Sequence, residues 1–191
     1  MSINELIANT QAILPLAVLM LWACILLLVD LFIPHERKGL TALLAALGLV
    51  VALGLVILQI GREEVAFNGM VSVDGFSTFL QALFLVSGLA GIALAYDYNK
   101  RMGLERGEYY ILMLLSIGGM LLMSMADDLI IVFVALEWLS IPLYILSGFD
   151  RDNVKSEESA LKYFLLGAYS GGFVLYGTAL IFGATGSTSL A

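Results

Sequence analysis

Six long apolar stretches, separated by short polar segments, constrain this chain more than any other feature of its sequence. A helix needs about 20 apolar residues to cross the roughly 30 Å hydrocarbon core of a bilayer. The stretches that qualify are residues 13–33, 40–60, 75–95, 109–126, 129–148 and 159–182. They are continuously apolar and lack the alternation of membrane β-strands. The sequence therefore predicts an all-α integral membrane protein with six transmembrane helices.

Composition and loop length support this interpretation. Hydrophobic residues make up 61% of the 191 residues and charged residues 13%, whereas soluble domains hold about 45–50% and about 25%. An ordinary soluble globular protein is thereby excluded. Residues 1–12 contain no Lys or Arg, so the first stretch is interpreted as a retained span and not as a signal peptide. Because no connection is long enough for a folded module, residues 1–191 are expected to form a single polytopic membrane segment.

The basic residues are distributed unevenly between the two sides of the predicted bundle. Of nine Lys and Arg residues, seven fall in loops on one side, Arg62 falls on the other, and Lys162 lies within the last span. Cytoplasmic loops carry the excess of basic residues. Both termini are therefore expected outside, and the basic loops are expected in the cytoplasm, or in the matrix or stroma of an organelle. The seven residues are Arg37, Lys38, Lys100, Arg101, Arg106, Arg151 and Lys155.

Few residues have the chemistry of a cofactor or metal site. The one cysteine, Cys24, lies in an apolar stretch, and the one histidine, His35, lies in a predicted surface loop. A disulfide within the chain is excluded, and a metal site is not expected. The sequence has no phosphate-binding glycine loop, no haem or iron–sulfur spacing and no nucleophile triad. No basic patch of the kind that binds nucleic acid is present either.

Glu137 is the most informative charged residue. It stands in LIIVFVALEWLSIPLYIL, eleven residues before Gly148, which places it about 16 Å deep at the 1.5 Å rise of a helix. A charge at that depth costs on the order of 2.5–3.5 kcal/mol, and such residues normally face a bundle interior or water and mark ion paths. Glu137 is therefore a candidate functional group. The alternative is a structural carboxyl that is hydrogen-bonded to a neighbouring helix.

Pro142 follows Glu137 in the same span. Proline lacks an N–H, so the carbonyl of Trp138 loses its usual helical partner. This carbonyl offers a place for water or a polar side chain beside Glu137, although a kink that only improves packing is the alternative.

Two other charged residues lie near span ends. Lys162 is about three residues inside the sixth span, where its side chain either snorkels to the surface or is buried and functional. A direct ion pair with Glu137 is not expected, because the two depths differ by about 10 Å. Asp30 is close to the end of the first span, and an interfacial position explains it.

Short polar and small residues predict helix ends and contacts. Asp127 or Asp128 is expected to cap the fifth helix, and Ser156 the sixth. Gly167 and Gly171 form a GxxxG pattern in the last span, and Gly118 and Gly119 lie in the fourth. Such residues permit close helix contact.

These residues resemble a known family. LIIVFVALEWLSIPLYILSGF, followed by SEESALKYFLLGAYSGGFVLYGTALIFGATGSTSL, resembles the subunit N family of respiratory complex I, the NADH:quinone oxidoreductase, whose mitochondrial and chloroplast counterpart is subunit 2. The core of the likeness runs from about residue 127 to 190, and VDGFSTF near the third span extends it. The resemblance implies an antiporter-like membrane subunit without a redox group of its own.

The resemblance also implies roles for particular residues. Glu137 matches the family's fifth-helix glutamate and Lys162 a sixth-helix lysine. In the family both belong to a charged, hydrated axis along which quinone reduction elsewhere drives proton transfer. FMN, iron–sulfur clusters, NADH and quinone are then expected on other subunits. The implied partners are the other membrane subunits of complex I and the lipid bilayer. The implied location is the inner (plasma) membrane of a cell, or the inner membrane of an organelle.

The chain departs from the family in length. Family members have about fourteen helices, with inverted five-helix repeats at helices four to eight and nine to thirteen. This chain resembles the first six helices, so the first repeat would be truncated after its third helix. The seventh-helix lysine that would partner Glu137 is absent, and the chain alone is expected to be inactive.

Two alternatives stay open at the level of sequence. One is a subunit of a multisubunit cation/proton antiporter, which would also hold the buried glutamate. The other is a truncated structural or assembly module without transport activity. The LKYFLLGA segment and the glycines that follow it favour the complex I interpretation.

Overall fold

The computed structural model describes residues 9–34 and 37–190, and six long helices occupy most of them. The helices are α1 (Leu14–Asp30), α2 (Gly39–Leu58), α3 (Gly75–Met102), α4 (Glu108–Ser124), α5 (Leu129–Ser147) and α6 (Val154–Thr185). Four of them, α2, α3, α5 and α6, are long and apolar enough to cross a membrane, and α1 and α4 are apolar helices of 17 residues. The prediction of a helical membrane protein is confirmed at this level.

Two helix boundaries differ clearly from the predicted spans. Helix α3 continues to Met102, seven residues beyond the predicted end at 95, and α6 begins at Val154, five residues before the predicted start at 159. Both extra segments are rich in polar and charged residues, which an apolar pattern does not include. Gly103, in the left-handed conformation with φ of 70°, ends α3.

The segment between α2 and α3 corrects the all-α prediction. It forms a small antiparallel hairpin of β1 (Glu64–Ala66) and β2 (Val71–Val73), joined by a 3₁₀ turn. The hairpin is held against the α4–α5 turn, because the Ser72 N–H donates to the Met125 carbonyl and the Asp127 N–H donates to the Met70 carbonyl. Strands of three residues are too short to produce a recognisable alternating pattern.

Consecutive helices pack antiparallel around an apolar core. The core includes the fully buried side chains of Leu19, Leu49, Leu85, Leu114 and Leu121, one or more from each of the first four helices. Helix α1 packs against both α2 and α4, and α5 packs between α4 and α6. Most large apolar side chains of α6 are exposed.

Side-chain caps fix the start of three helices. Asp74 and Ser77 form a reciprocal capping box at α3, and the Ser77 backbone N–H lowers the pKa of the Asp74 carboxyl by donating a hydrogen bond to it. Asp128 caps α5 by accepting from the Ile130 N–H at 2.8 Å, as one of the two predicted residues. The prediction for α6 is wrong: Asn153 caps it, and Ser156 lies inside the helix.

Candidate functional site

Glu137 lies at the middle of α5, where the helix faces α6. It is the ninth of the 19 residues of α5, and its side chain is half-buried. Its Oε1 atom lies against Gly171 of α6, so closely that a Cβ at this glycine would be well under 3 Å from it. The carboxylate therefore occupies space that only a glycine on the facing helix leaves free.

The contact between α5 and α6 continues toward the start of α6. The hydroxyl of Tyr144 occupies the corresponding space at Gly167, and its ring packs edge-on against Tyr163 at a centroid distance of 4.7 Å. Gly148, just past the end of α5, lies against Ala160. Both glycines of the predicted GxxxG pattern are therefore close-contact positions, and we call this line of contacts the α5–α6 seam.

An open groove lies beside Glu137. Its volume is about 470 Å³. In the part of the chain that the structure describes, Glu137 is its only charged lining residue and has no ion-pair or hydrogen-bond partner. The other lining residues are Leu115, Phe133, Val134, Trp138, Ile141 and Pro142. The groove thus places one carboxylate in an apolar wall.

Pro142 is buried within α5, and the helix continues through it to Ser147. Since proline has no N–H, the Trp138 carbonyl receives no hydrogen bond from residue 142. This carbonyl lies one residue from Glu137, and Trp138 and Pro142 both line the same groove. The groove wall therefore includes the residue whose carbonyl lacks its usual helical donor.

Lys162 is not brought next to Glu137. At 100° per residue, Lys162 and Gly171 lie on opposite faces of α6, nine residues apart. The Lys162 side chain is 69% exposed and pairs with Glu158, one turn earlier in the helix. The expectation that Lys162 and Glu137 form no direct ion pair agrees with this placement.

The Asp30 side chain is more buried than the sequence suggested. It is 4% exposed, pairs with Lys38 at 2.7 Å and accepts a hydrogen bond from the Thr41 hydroxyl. Its carboxylate also lies against Gly107, where α4 begins. Asp30 is the last residue of α1, and its contacts join the ends of α1, α2 and α4. The nearby Lys38, eight residues on, is the sequence signal for this pair.

The sequence analysis also missed three buried amides. Gln81 and Asn99 of α3 are each 1% exposed, and Gln59 just past α2 is 6% exposed. Within the described residues, the Gln81 amide nitrogen and the Gln59 carbonyl oxygen have no hydrogen-bond partner. A glutamine inside a predicted span was the available signal for Gln81.

Of the two residues considered for thiol or imidazole chemistry, the structure describes one. Cys24 is an exposed free cysteine of α1, and His35 lies outside the described residues. Within residues 9–34 and 37–190, no group of three or more His, Cys, Asp or Glu side chains is arranged to hold a metal ion.

Comparison with known families defines the class of the chain. A family model described as "NADH:quinone oxidoreductase/Mrp antiporter, TM" matches residues 126–191. This segment contains α5, α6 and the α5–α6 seam. Together with the apolar helices, the match places the chain in the antiporter-like class of membrane proteins.

Curated relatives identify the family more narrowly. NADH-quinone oxidoreductase subunit N of Chloroflexus aggregans is 49% identical over 184 residues, which cover 95% of this chain and 37% of the relative. Subunit N 2 of Roseiflexus castenholzii is 44% identical, over 92% of this chain and 35% of the relative. The chain is a homologue of NADH-quinone oxidoreductase subunit N and spans little more than a third of the length of these relatives.

Solved structures agree with this assignment. A chain of respiratory complex I from Thermus thermophilus is 37% identical with a TM-score of 0.78, over 93% of this chain and 38% of that chain. A chain of an archaeal membrane-bound sulfane sulfur reductase, 21% identical, has a TM-score of 0.74 over 96% of this chain and 38% of that chain. The second structure shows the shared fold alone.

Proposed function

We propose that this chain is part of a membrane-arm subunit of a proton-pumping NADH:quinone oxidoreductase, in which Glu137 takes up and releases protons. The homology to subunit N supports the assignment to this complex. The observation that carries the proton-transfer role is the placement of Glu137: its carboxylate lies at the middle of an apolar helix against Gly171, with no ion-pair partner among the described residues.

The surroundings of Glu137 suit a group that changes its protonation state. The carboxylate lies in an apolar wall next to open space, where water or a charged group of a neighbouring subunit can reach it. A carboxyl in such a place can bind a proton in one state of the complex and lose it in another. The groove and the Trp138 carbonyl provide space and a hydrogen-bond acceptor for water that would carry the proton.

Lys162 is proposed as the second proton-translocation residue. It lies on the face of α6 opposite Gly171, so α6 separates it from Glu137. In this proposal Lys162 faces the next charged group along the proton-transfer path. Lys162 and Glu137 influence each other electrostatically through the weakly screened interior of the bundle. Its exposure in the described chain leaves it accessible to such a neighbour.

The proposed topology has six spans with both termini outside. Helices α1 and α4, with 17 residues each, are about 25 Å long and need flanking turn residues to complete a crossing. The antiparallel contacts support alternating directions: the Gln59 amide donates to the Gln11 carbonyl at one side of the bundle, and Asp30 meets Lys38 and Gly107 at the other.

The proposed partners are the other membrane subunits of the complex and the bilayer. Redox groups, namely FMN, iron–sulfur clusters, NADH and quinone, are assigned to other subunits, and the chain contributes as a non-redox part of the translocase. The location proposed is the inner (plasma) membrane of a cell, or the inner membrane of an organelle.

Glu137→Gln tests the proposal. Made in the full-length subunit within the assembled complex, it removes the titratable group and keeps its shape, so NADH-driven acidification of inverted membrane vesicles should fall severalfold. Glu105→Gln, which removes a carboxylate from the α3–α4 loop, is the matched control and should leave acidification unchanged. Equal acidification in the two variants would refute a proton-transfer role for Glu137.

Lys162 calls for a different pair of variants. Lys162→Ala should lower proton pumping more than Lys162→Arg, because arginine keeps the positive charge. Glu158→Gln removes the partner of Lys162 in the described chain and should have little effect on pumping. If both Lys162 variants pump normally, Lys162 only snorkels to the membrane surface.

A further inference from the structure

A second pocket lies at the side of the bundle where the basic loops meet. It has a volume of about 290 Å³ and opens between the start of α4, the end of α5 and the first turns of α6. Its polar lining groups are Arg106, Glu108, Tyr144 and Arg151. The rest of its wall consists of Leu112, Ile145, Gly148, Phe149 and Ala160.

Contacts between the three helices hold this pocket in shape. Tyr109 of α4 packs edge-on against Phe149 at a centroid distance of 5.0 Å. The Ser156 hydroxyl of α6 donates to the Ser147 carbonyl of α5 at 2.9 Å. Gly148 then lies directly against Ala160. The loops that carry Arg106 and Arg151 are therefore fixed beside each other by packing around the pocket.

The pocket has an excess of positive charge. Two guanidinium groups and the Glu108 carboxylate line it, which gives a net charge of +1. Within the described residues, neither arginine has a carboxylate within ion-pair distance. Asp150 and Asp152 flank Arg151 in the sequence, but neither lines the pocket. Among the described residues, no carboxylate therefore competes with a bound anion for either guanidinium group.

The chemistry fits one occupant. Arginine binds phosphate oxygens with two parallel hydrogen bonds, and basic pockets between helices at the membrane surface bind anionic lipid headgroups. The apolar side chains of Leu112 and Ile145 provide a wall along which an acyl chain can lie. We propose that this pocket binds an anionic phospholipid, with its phosphate between Arg106 and Arg151. This site is separate from the proton-transfer role of Glu137.

Lipid retention by the assembled complex tests the site. The complex is reconstituted in bilayers with equal amounts of phosphatidylcholine and phosphatidylglycerol and purified, and the retained lipids are quantified by native mass spectrometry. In Arg106→Gln/Arg151→Gln, the preference for phosphatidylglycerol should fall by about five-fold for each arginine removed. Glu108→Gln should raise the preference, because it removes the one negative group from the pocket.

A double variant outside the pocket provides the control. Lys100→Gln/Lys155→Gln removes the same charge from the same group of loops and should leave the retained lipid unchanged. If both double variants lose the preference for phosphatidylglycerol equally, general surface charge explains the lipid retention and the proposal is overturned. Displacement of the lipid by millimolar inorganic phosphate would identify a soluble-anion site instead. If Arg106→Gln/Arg151→Gln loses a neighbouring subunit but retains the same lipid, the two arginines contact a protein, and the lipid proposal is also overturned.

Discussion

At the residue scale, Glu137 and Gly171 form the smallest unit on which the proposed function depends. The carboxylate can lie in the α5–α6 seam because the facing residue has no side chain. The apolar span and the depth of Glu137 within it marked this residue as a candidate functional group from the sequence. Its facing residue could not be predicted, because the relative rotation of two helices depends on packing along their whole length.

Gly171→Ala should displace the Glu137 carboxylate without removing it. The added Cβ meets the flexible end of the glutamate, so stability should change by less than about 1 kcal/mol, while NADH-driven proton pumping should fall. Gly172→Ala, which meets nothing within 4 Å, is the control for the same substitution one residue further on. Equal pumping by the two variants would show that the position of the carboxylate is unimportant.

Asp30 provides a second prediction at this scale, on stability. Asp30→Asn leaves the largely buried Lys38 without its partner charge, and breaking such a pair costs about 3–5 kcal/mol. Asp97→Asn breaks the exposed pair with Arg101 and should cost at most about 1 kcal/mol. Thermal unfolding in detergent measures both. Equal shifts in Tm would contradict a buried role for Asp30.

At the element scale, the apolar pattern located all six long helices but only part of their ends. Helix α3 overran its predicted span because its last turns, which include Tyr98, Asn99 and Lys100, are polar. The hairpin at residues 64–73 was missed because its strands have only three residues each and because it is also held by hydrogen bonds to Met125 and Asp127 of a distant turn. Such long-range partners leave no local periodicity.

Helix α4 allows a direct test of close packing between elements. A Cβ at Gly119 would lie under 3 Å from the backbone N and Cα atoms of Leu139 in α5. Since backbone cannot move aside as a side chain end does, Gly119→Ala should destabilise the bundle by about 1–3 kcal/mol. Gly54→Ala in α2 meets nothing within 4 Å and should be neutral or slightly stabilising. A Tm for Gly119→Ala at or above that of Gly54→Ala would refute the contact.

At the scale of the whole molecule, different interactions hold the two ends of the helix bundle together. On one side, the hairpin and residues 187–190 pair with the α4–α5 turn, where the Thr188 hydroxyl donates to Asp128 at 2.6 Å. On the other, charged groups collect: the Asp30–Lys38 pair and the pocket of Arg106 and Arg151. The charge asymmetry was visible in the sequence, whereas the grouping of these side chains required the fold.

The proton-to-electron ratio of the assembled complex tests the central claim most directly. Protons moved per NADH oxidised are counted in sealed proteoliposomes for the wild type, Glu137→Gln and the loop control Glu105→Gln. This ratio separates loss of translocation from slower electron transfer or poor assembly. We expect the ratio to fall in Glu137→Gln and to stay at the wild-type value in Glu105→Gln. A wild-type ratio in Glu137→Gln, at a wild-type rate of NADH oxidation, would contradict the assignment of Glu137 to proton translocation.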